Sequence, residues 1–265
     1  MLLDFFARTH TPYLHARGAA GTALLAEAMA PKAGERILEL GFGAGHTLAL
    51  LAGTVPGAAW FGLERSATML ATTRRRLRWC GLRNVSVQQY DGLLPFPDHF
   101  FDAVFCESVL AIVPGDQLPG LVAELYRVLR PGGRFYCNES IWRPHVGADT
   151  IRAINEQCLR AFGLVQATER FPYPADWRVL FESAGFTWVS TQSLEQIPAP
   201  AKLPWHTTRL LSTVFSRWGW LKARLSPALR RQNKAWRRQE RQFGVYGKYL
   251  EGALWVFQKA FTGPE

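Results

Sequence analysis

The sequence predicts an α/β fold built on a mostly parallel sheet. Short runs of β-branched and aliphatic residues alternate with helical patterns, as in βαβ units, and the first of these runs ends in a glycine-rich turn. With 265 residues, 48% of them hydrophobic and 20% charged, the chain can bury one large core. We therefore expect a single elaborated domain over residues 1–265, with two separate domains as the less favoured arrangement.

Five strands and three helices are predicted in the first half of the chain. The strands cover residues 37–40, 59–63, 85–87, 101–106 and 134–137, each a short apolar run. The helices cover residues 46–51, 67–80 and 118–129. Ser66 is placed to cap the second helix and Gly81 to stop it, while Pro131, Gly132 and Gly133 form the turn into the fifth strand.

The alternation loosens after residue 137. Helices are predicted over 149–162 and 175–184, and strands over 186–191 and 252–260. Between these last two strands, apolar residues recur at helical spacing and predict a helix with one apolar face, made by Leu211, Val214, Phe215, Trp218, Leu221 and Leu225. Arg217, Lys222 and Arg224 lie off that face, and a second helical stretch at 227–242 is dense in arginine.

The glycine-rich turn after the first strand is the strongest candidate for a binding site. Parallel sheets bind ligands beyond the carboxyl ends of their strands. Gly41, Gly43 and Gly45 allow a sharp turn and a close approach of the backbone to a ligand. A purely structural strand-to-helix turn is the alternative that the glycines alone leave open.

The residues around the turn give it a family resemblance. The pattern is GxGxG followed by His46, with Glu39 two residues before the first glycine, whereas a dinucleotide fingerprint has GxGxxG. It resembles motif I of the class I S-adenosylmethionine (SAM) dependent methyltransferases. The resemblance implies that Glu39 orients the amino group of the methionine moiety, and that the turn packs against methionine and ribose.

Two further motifs extend the resemblance. Glu64 ends the second strand and, with Arg65, opens a run similar to the family's acid-x-Ser-x-x-Met-Leu pattern. A carboxylate there can accept both ribose hydroxyl hydrogens. Asp91 and Gly92 follow the third strand, and the resemblance implies that Asp91 meets the adenine amino group. The alternatives are a solvated acid at a strand end for Glu64 and an ordinary Asp-Gly turn for Asp91.

These motifs, together with a similar helix-to-strand passage at 121–133, cover residues 36–137. The resemblance implies a Rossmann-like sheet of seven strands, the last antiparallel, with a helical lid inserted at 194–251. It also implies SAM as cofactor and in-line methyl transfer to a small-molecule acceptor, lipid-like acceptors included. The acceptor itself and the oligomeric state are not encoded in any motif.

Methyl transfer sometimes needs a base to take the nucleophile's proton. Glu107, delivered by the fourth strand, and His15, in a segment that precedes motif I in part of the family, are the candidate catalytic residues. Tyr13 and His206 are weaker candidates. A structural or cofactor-adjacent role is the alternative for each of the four.

The net charge of +10 is concentrated in one segment. Residues 202–248 carry twelve Lys or Arg and one acid, Glu240, which gives +11 there and −1 elsewhere. Three interpretations compete: a lid with a solvated basic back, recruitment to an anionic membrane surface or lipid substrate, and nucleic-acid binding, the last without a visible motif.

Cys80, Cys106, Cys137 and Cys158 are widely spaced, so reduced thiols and no metal site are expected. No apolar run is long enough to cross a bilayer, which favours a cytoplasmic location, with peripheral membrane attachment as the alternative. Two other functions stay open: an NAD(P)-dependent oxidoreductase, disfavoured by His46 at the third-glycine position, and a non-catalytic SAM-binding regulatory protein.

Overall fold

The computed structural model describes residues 2–15, 17–195 and 206–261. The strands are β1 (Arg36–Leu40), β2 (Ala59–Glu64), β3 (Val85–Gln89), β4 (Phe101–Glu107), β5 (Leu129–Trp142), β6 (Phe186–Ser193) and β7 (Leu250–Lys259). The helices are α1 (Leu2–Arg8), α2 (Gly18–Met29), α3 (His46–Thr54), α4 (Ala67–Trp79), α5 (Leu118–Val128), α6 (Ala148–Phe162), α7 (Pro174–Ser183), α8 (Thr207–Leu225) and α9 (Pro227–Phe243). The predicted elements therefore form, with boundaries that differ by a few residues in most cases.

The seven strands form one sheet in the order β3-β2-β1-β4-β5-β7-β6. Neighbouring strands from β3 to β5 are parallel, while β7 runs antiparallel to both β5 and β6. This confirms the seven strands with an antiparallel last strand that the family resemblance implied. Because the chain winds outward in both directions from β1 and β4, a crevice opens at the carboxyl ends of these two strands.

Hydrophobic clusters cover both faces of the sheet. One contains Leu125 of α5 and Trp177 of α7, and the other contains Leu25 of α2 and Leu48 of α3. Local signals fix where helices begin: Ser66 Oγ accepts the Met69 N–H at 3.3 Å, as the predicted cap requires. The strand ends beneath the crevice are thus packed between two hydrophobic clusters.

Strand β5 is longer than the predicted 134–137. Phe101 pairs with Leu129 and Ala103 with Arg134, so residues 130–133 form an irregularity within β5 instead of a turn before it. Beyond Cys137 the strand continues to Trp142 through buried polar residues, which interrupt the apolar pattern that the prediction relied on.

Helices α8 and α9 lie between β6 and β7, where the insertion was predicted, although its residues 196–205, with Lys202 and Trp205, lie outside the described part of the chain. The residues of the predicted apolar face of α8 lie mostly at the surface of the protein. Only Phe215 of its six residues is buried, Leu211 is half-buried, and the other four are exposed: Val214, Trp218, Leu221 and Leu225. The buried side carries small residues instead, Ser212, Ser216, Gly219 and Ala223. Small side chains let α8 approach the body closely, so they are buried in place of the larger ones.

Candidate functional site

Three glutamates meet on one face of the sheet at the carboxyl ends of β1, β2 and β4. Glu39 lies near the end of β1, opposite Gly62 of β2 and Phe105 of β4. Glu64 and Glu107 are two residues beyond these partners and end their strands. Because side chains alternate between the faces of a sheet, all three carboxyls lie on the same face. The fold thereby gathers acidic groups beside the crevice, where ligands of such sheets bind.

The glycines of the turn after β1 have different surroundings. Gly41, Gly43 and Gly45 have φ angles of 71°, 51° and 71°, in the left-handed region that favours glycine. A Cβ on Gly41 would lie 2.4 Å from Val109, and one on Gly45 would lie 2.4 Å from Thr73. At Gly43 the nearest atom to such a Cβ is 3.9 Å away. Gly41 and Gly45 therefore allow close packing within the protein, while Gly43 has space beside it.

Glu39 is buried, with one carboxyl oxygen lacking a partner. The residue is 3% exposed, and no described residue hydrogen-bonds to Oε2. Burial, followed by the charges of Glu107 and Glu64, raises the pKa of Glu39 well above its ordinary value. An ammonium group at Oε2 would satisfy this atom and favour the charged carboxylate.

Glu64 holds the glycine turn and still has acceptor capacity. Its Oε2 accepts the Gly43 N–H at 2.9 Å, and its Oε1 accepts the Ser66 N–H at 3.0 Å. Burial raises the pKa of Glu64, although these backbone donors act in the opposite direction. A carboxylate offers about four acceptor positions, so about two stay available for the hydroxyls of a ligand.

The loop after β3 completes this edge. The Tyr90 N–H donates to the Glu64 carbonyl at 3.3 Å, which places Asp91 and Gly92 beside the end of β2. The side chains of Asp91 and Arg65 are exposed, and nothing lies within 4 Å of a Cβ built on Gly92. The structure thus brings Glu64, Arg65, Asp91 and Gly92 to one accessible rim.

Glu107 lies at the centre of a buried polar cluster. Its Oε2 accepts from Thr47 Oγ1 at 2.9 Å and lies 3.3 Å from His15 Nε2. Its Oε1 accepts from Asn138 Nδ2 at 3.1 Å, and Thr22 Oγ1 donates to both oxygens at 3.1 and 3.2 Å. The side chains of His15 and Glu107 are only 6% and 3% exposed. The two predicted catalytic candidates therefore meet, held by Thr47 and Asn138, which the sequence analysis missed.

This cluster can accept a proton. Four side chains surround the Glu107 carboxylate and fill its acceptor positions, so it is better suited to stabilise a cation than to act as the base. If His15 carries its hydrogen on Nε2 toward Glu107, then Nδ1 bears the lone pair and faces Asn138 Nδ2 at 3.4 Å. An imidazole oriented by a carboxylate in this way can take a proton and hold the resulting charge.

A second buried cluster, also missed, links the glycine turn to α8. Arg76 is fully buried, and its Nε donates to the Ala44 carbonyl at 2.7 Å. Its Nη1 lies 3.2 Å from His46 Nδ1 and donates to Ser212 Oγ at 2.9 Å and Ser216 Oγ at 3.0 Å. The signal was available, since Arg76 falls at helical spacing on the inward face of α4.

The other two candidate bases have different partners. Tyr13 Oη lies 3.1 Å from His46 Nε2. His206 caps α8 by accepting the Arg209 N–H at 3.3 Å, and its Nε2 lies 3.0 Å from Thr54 Oγ1. Glu107 contacts Thr47 at the start of α3, whereas His206 contacts Thr54 at its other end, so the structure does not bring His206 to Glu107.

In the part of the chain that the structure describes, no three His, Cys, Asp or Glu side chains lie together as a metal-binding group. Nor does any helix there combine the length and apolar character needed to cross a bilayer. All four cysteines are buried, unpaired thiols, and burial raises the pKa of each.

Comparison with known proteins gives a consistent result. Residues 37–133 match a family model described as a methyltransferase domain. A demethylmenaquinone methyltransferase of Symbiobacterium thermophilum is 29% identical over 182 residues, or 61% of this chain and 72% of that protein. One of Thermus thermophilus is 32% identical over 170 residues, or 59% and 76% of the two chains.

A solved structure supports the fold. Phosphoethanolamine N-methyltransferase 2 of Haemonchus contortus, in complex with S-adenosyl-L-methionine, superposes with a TM-score of 0.68 over 98% of this chain and 56% of that one. At 15% sequence identity this likeness concerns the fold alone. The family match, in contrast, spans β1, the glycine turn, Glu64, Asp91 and Glu107.

Proposed function

The chain belongs to the class I SAM-dependent methyltransferases, and from this premise we propose that it methylates a quinone-type, lipid-like acceptor, with His15 and Glu107 as its proton-accepting pair. The enzyme uses SAM to methylate a small molecule, which leaves the oxidoreductase alternative without support. The buried Glu107 cluster carries the proposal. It lies on the same sheet face as Glu39, where an acceptor would be next to the bound cofactor.

The residues at this edge fit SAM. The unpartnered Oε2 of Glu39 suits the ammonium group of its methionine moiety, and the remaining acceptor positions of Glu64 suit the ribose hydroxyls. We assign Asp91 to the adenine amino group, with Arg65 and Gly92 beside it on the rim. Gly43 lets the backbone approach the cofactor, while Gly41 and Gly45 keep the turn packed in position. When bound, SAM supplies the electrophilic methyl group on its sulfonium.

The protein's part in the reaction is alignment, exclusion of water and proton transfer. We assign proton acceptance from the reacting ring hydroxyl to His15 Nδ1, which would exchange its contact with the Asn138 amide for the hydroxyl. Glu107 then stabilises the imidazolium through Nε2, as the 3.3 Å contact allows. Thr22, Thr47 and Asn138 fix the carboxylate, so that little reorganisation is needed when the charge forms.

The acceptor class follows from the relatives. Two proteins that share about 30% of their residues with this chain over the matched regions are named for demethylmenaquinone, a quinone with an apolar tail. A reduced quinone carries ring hydroxyls, and removal of one proton makes the ring electron-rich. That chemistry needs the kind of base that the His15 and Glu107 pair provides.

We also propose an anionic membrane surface as the partner of the basic segment 202–248, of which residues 206–248 are described. A long-tailed quinone partitions into lipid, so an enzyme at the surface meets it at high local concentration. The +11 charge of this segment would attract anionic headgroups at about 1 kcal/mol for each cation near the surface. The enzyme would then be peripheral, with 194–251 as an insertion within a single domain. Nucleic acid is the competing partner for the same charge.

Product analysis tests the function. Purified protein, methyl-labelled SAM and a short-tailed demethylmenaquinol should give a quinol product one methyl group heavier, identified by mass spectrometry. The matched control is the corresponding quinol that already carries the methyl group, and it should give no labelled product. Label transferred to another acceptor in an extract, but not to the quinol, would overturn the acceptor class. SAM binding without transfer to any acceptor would favour the regulatory alternative.

A further inference from the structure

The outward side of α8 is an apolar stripe, defined by Leu210, Val214, Trp218, Leu221 and Leu225. Their exposed fractions are 46%, 41%, 54%, 43% and 72%, respectively. Successive members are three or four residues apart, so all five fall within an arc of roughly 80° around the helix. An arrangement of this kind is typical of a helix face that contacts another apolar phase.

The packing of α8 keeps the stripe outward. On the opposite side, a Cβ on Gly219 would lie 2.3 Å from the Thr9 carbonyl oxygen, so no larger residue fits there. Ser212 and Ser216 on that side hydrogen-bond to the buried Arg76. Rotating the helix to bury the stripe would break these bonds and place large side chains against the backbone of Thr9.

Cations flank the stripe on both sides. At 100° per residue, Arg217 and Arg224 fall at one edge and Lys222 at the other. Lys222 Nζ lies 5.7 Å from the Trp218 ring centre, and none of these three side chains forms an ion pair with a described residue. An apolar face bordered by cations is the arrangement expected of a helix lying at the surface of an anionic bilayer.

Helix α9 adds a continuous basic face. Its inner side, which includes Trp236, packs against the body, with Trp236 edge-on to Phe6 at 5.0 Å. Its six cations are all exposed and fall on one side of the helix: Arg230, Arg231, Lys234, Arg237, Arg238 and Arg241. Charge of this density next to α8 complements a surface of phosphate headgroups.

We propose that α8 is the membrane-inserting element of the protein, with its stripe at the acyl boundary of an anionic bilayer and the cations of α8 and α9 on the headgroups. This deepens the membrane partner of the proposed function and rests on it. The stripe decides between the two anionic partners, because phosphate contacts to a nucleic acid gain nothing from five exposed apolar side chains.

Vesicle co-sedimentation tests the proposal. The wild-type protein should bind vesicles that contain anionic phosphatidylglycerol and bind phosphatidylcholine vesicles weakly. The double variant Leu221→Ser/Leu225→Ser should lose about tenfold or more in partitioning, because two apolar side chains leave the acyl boundary. Leu159→Ser/Val179→Ser is the matched control, since these residues are 48% and 66% exposed on α6 and α7, and it should bind like the wild type. Replacing Arg230, Arg237 and Arg241 by Gln should remove the preference for anionic lipid.

The same preparations separate this proposal from the proposed function. SAM binding by calorimetry and methyl transfer to a short-tailed acceptor in detergent should be unchanged in the leucine variant. Normal transfer with no vesicle binding by the wild type would overturn the membrane proposal and leave the function standing. The membrane proposal would also be overturned if Leu221→Ser/Leu225→Ser and Leu159→Ser/Val179→Ser lost vesicle binding equally. Tight binding of an oligonucleotide that does not depend on Leu221 and Leu225 would overturn it too.

Discussion

Arg76 Nη1 lies 3.2 Å from Nδ1 of His46, so a buried guanidinium faces an imidazole at the first residue of α3. Burial, and then the charge of Arg76, lowers the pKa of His46 to about 3 and keeps the ring neutral. Burial also lowers the pKa of Arg76, but only to about 10, so it stays charged. Because a guanidinium only donates, His46 Nδ1 is an acceptor, with Ser212 Oγ at 2.9 Å as well as Arg76 Nη1 beside it, and its Nε2–H points to Tyr13 Oη at 3.1 Å. One network joins the glycine turn, the amino-terminal segment and α8.

Arg76→Lys should destabilise the protein by about 3 kcal/mol, because a lysine cannot keep the several charged hydrogen bonds of the guanidinium. Urea unfolding followed by circular dichroism measures this loss. Arg75→Lys is the control: Arg75 is exposed and should change stability by no more than about 0.5 kcal/mol. Equal effects at the two positions would contradict the role given to Arg76. The variant should also bind SAM more weakly, since the Ala44 carbonyl loses its donor.

Glu39→Gln should weaken SAM binding and stabilise the ligand-free protein at neutral pH. The pKa of Glu39 is raised in the folded state, chiefly by burial, so the folded protein binds more protons than the unfolded chain above the ordinary pKa of a glutamate. Stability therefore falls as pH rises from that ordinary value to the raised one, and Gln removes this loss. Thermal unfolding of both proteins at pH 5 and pH 8 tests the direction of this effect. Glu39→Gln should be more stable than the wild type at pH 8, and the difference in stability should be small at pH 5.

Binding of SAM should release a proton when Glu39 is present. An ammonium group beside Oε2 favours the ionised carboxylate, so the affinity should rise with pH until the raised pKa of free Glu39 is passed. Calorimetry in two buffers of different ionisation enthalpy counts the released protons. Equal proton release by the wild type and Glu39→Gln would place the ammonium group elsewhere.

The sequence predicted the fold where apolar periodicity and turn residues agree, as in β1, β2 and the Ser66 cap. At α8, the repeat of large apolar residues predicted an apolar face but not its orientation, and the small residues between them are the ones that are buried. Periodicity locates an apolar face but does not say what covers it. In the candidate site, too, local sequence patterns predicted some residues and missed others. Motif spacing predicted Glu39 and Glu64 as site residues, whereas Thr47 and Asn138 reach Glu107 through long-range contacts that no local pattern encodes.

Glu64→Ala should reduce SAM affinity by about 1.5 to 3 kcal/mol, the loss expected for hydrogen bonds to a charged group. Calorimetry measures the affinity, and unfolding experiments show whether loss of the contacts to Gly43 and Ser66 also loosens the turn. Glu27→Ala, at an exposed position of α2, is the control and should bind SAM normally. Unchanged affinity in Glu64→Ala would remove this residue from the cofactor site.

His15→Asn should lower kcat by about 10² to 10⁴, the usual contribution of a general base, with a much smaller change in SAM affinity. Glu107→Gln should lower kcat too, because it no longer stabilises the imidazolium that forms on His15. As the two side chains act together, the double variant should be scarcely slower than His15→Asn alone. Single-turnover kinetics with the quinol acceptor measure all three. Rates that fall by the product of the two single effects would mean that His15 and Glu107 work independently, and a wild-type rate in His15→Asn would leave it a purely structural residue.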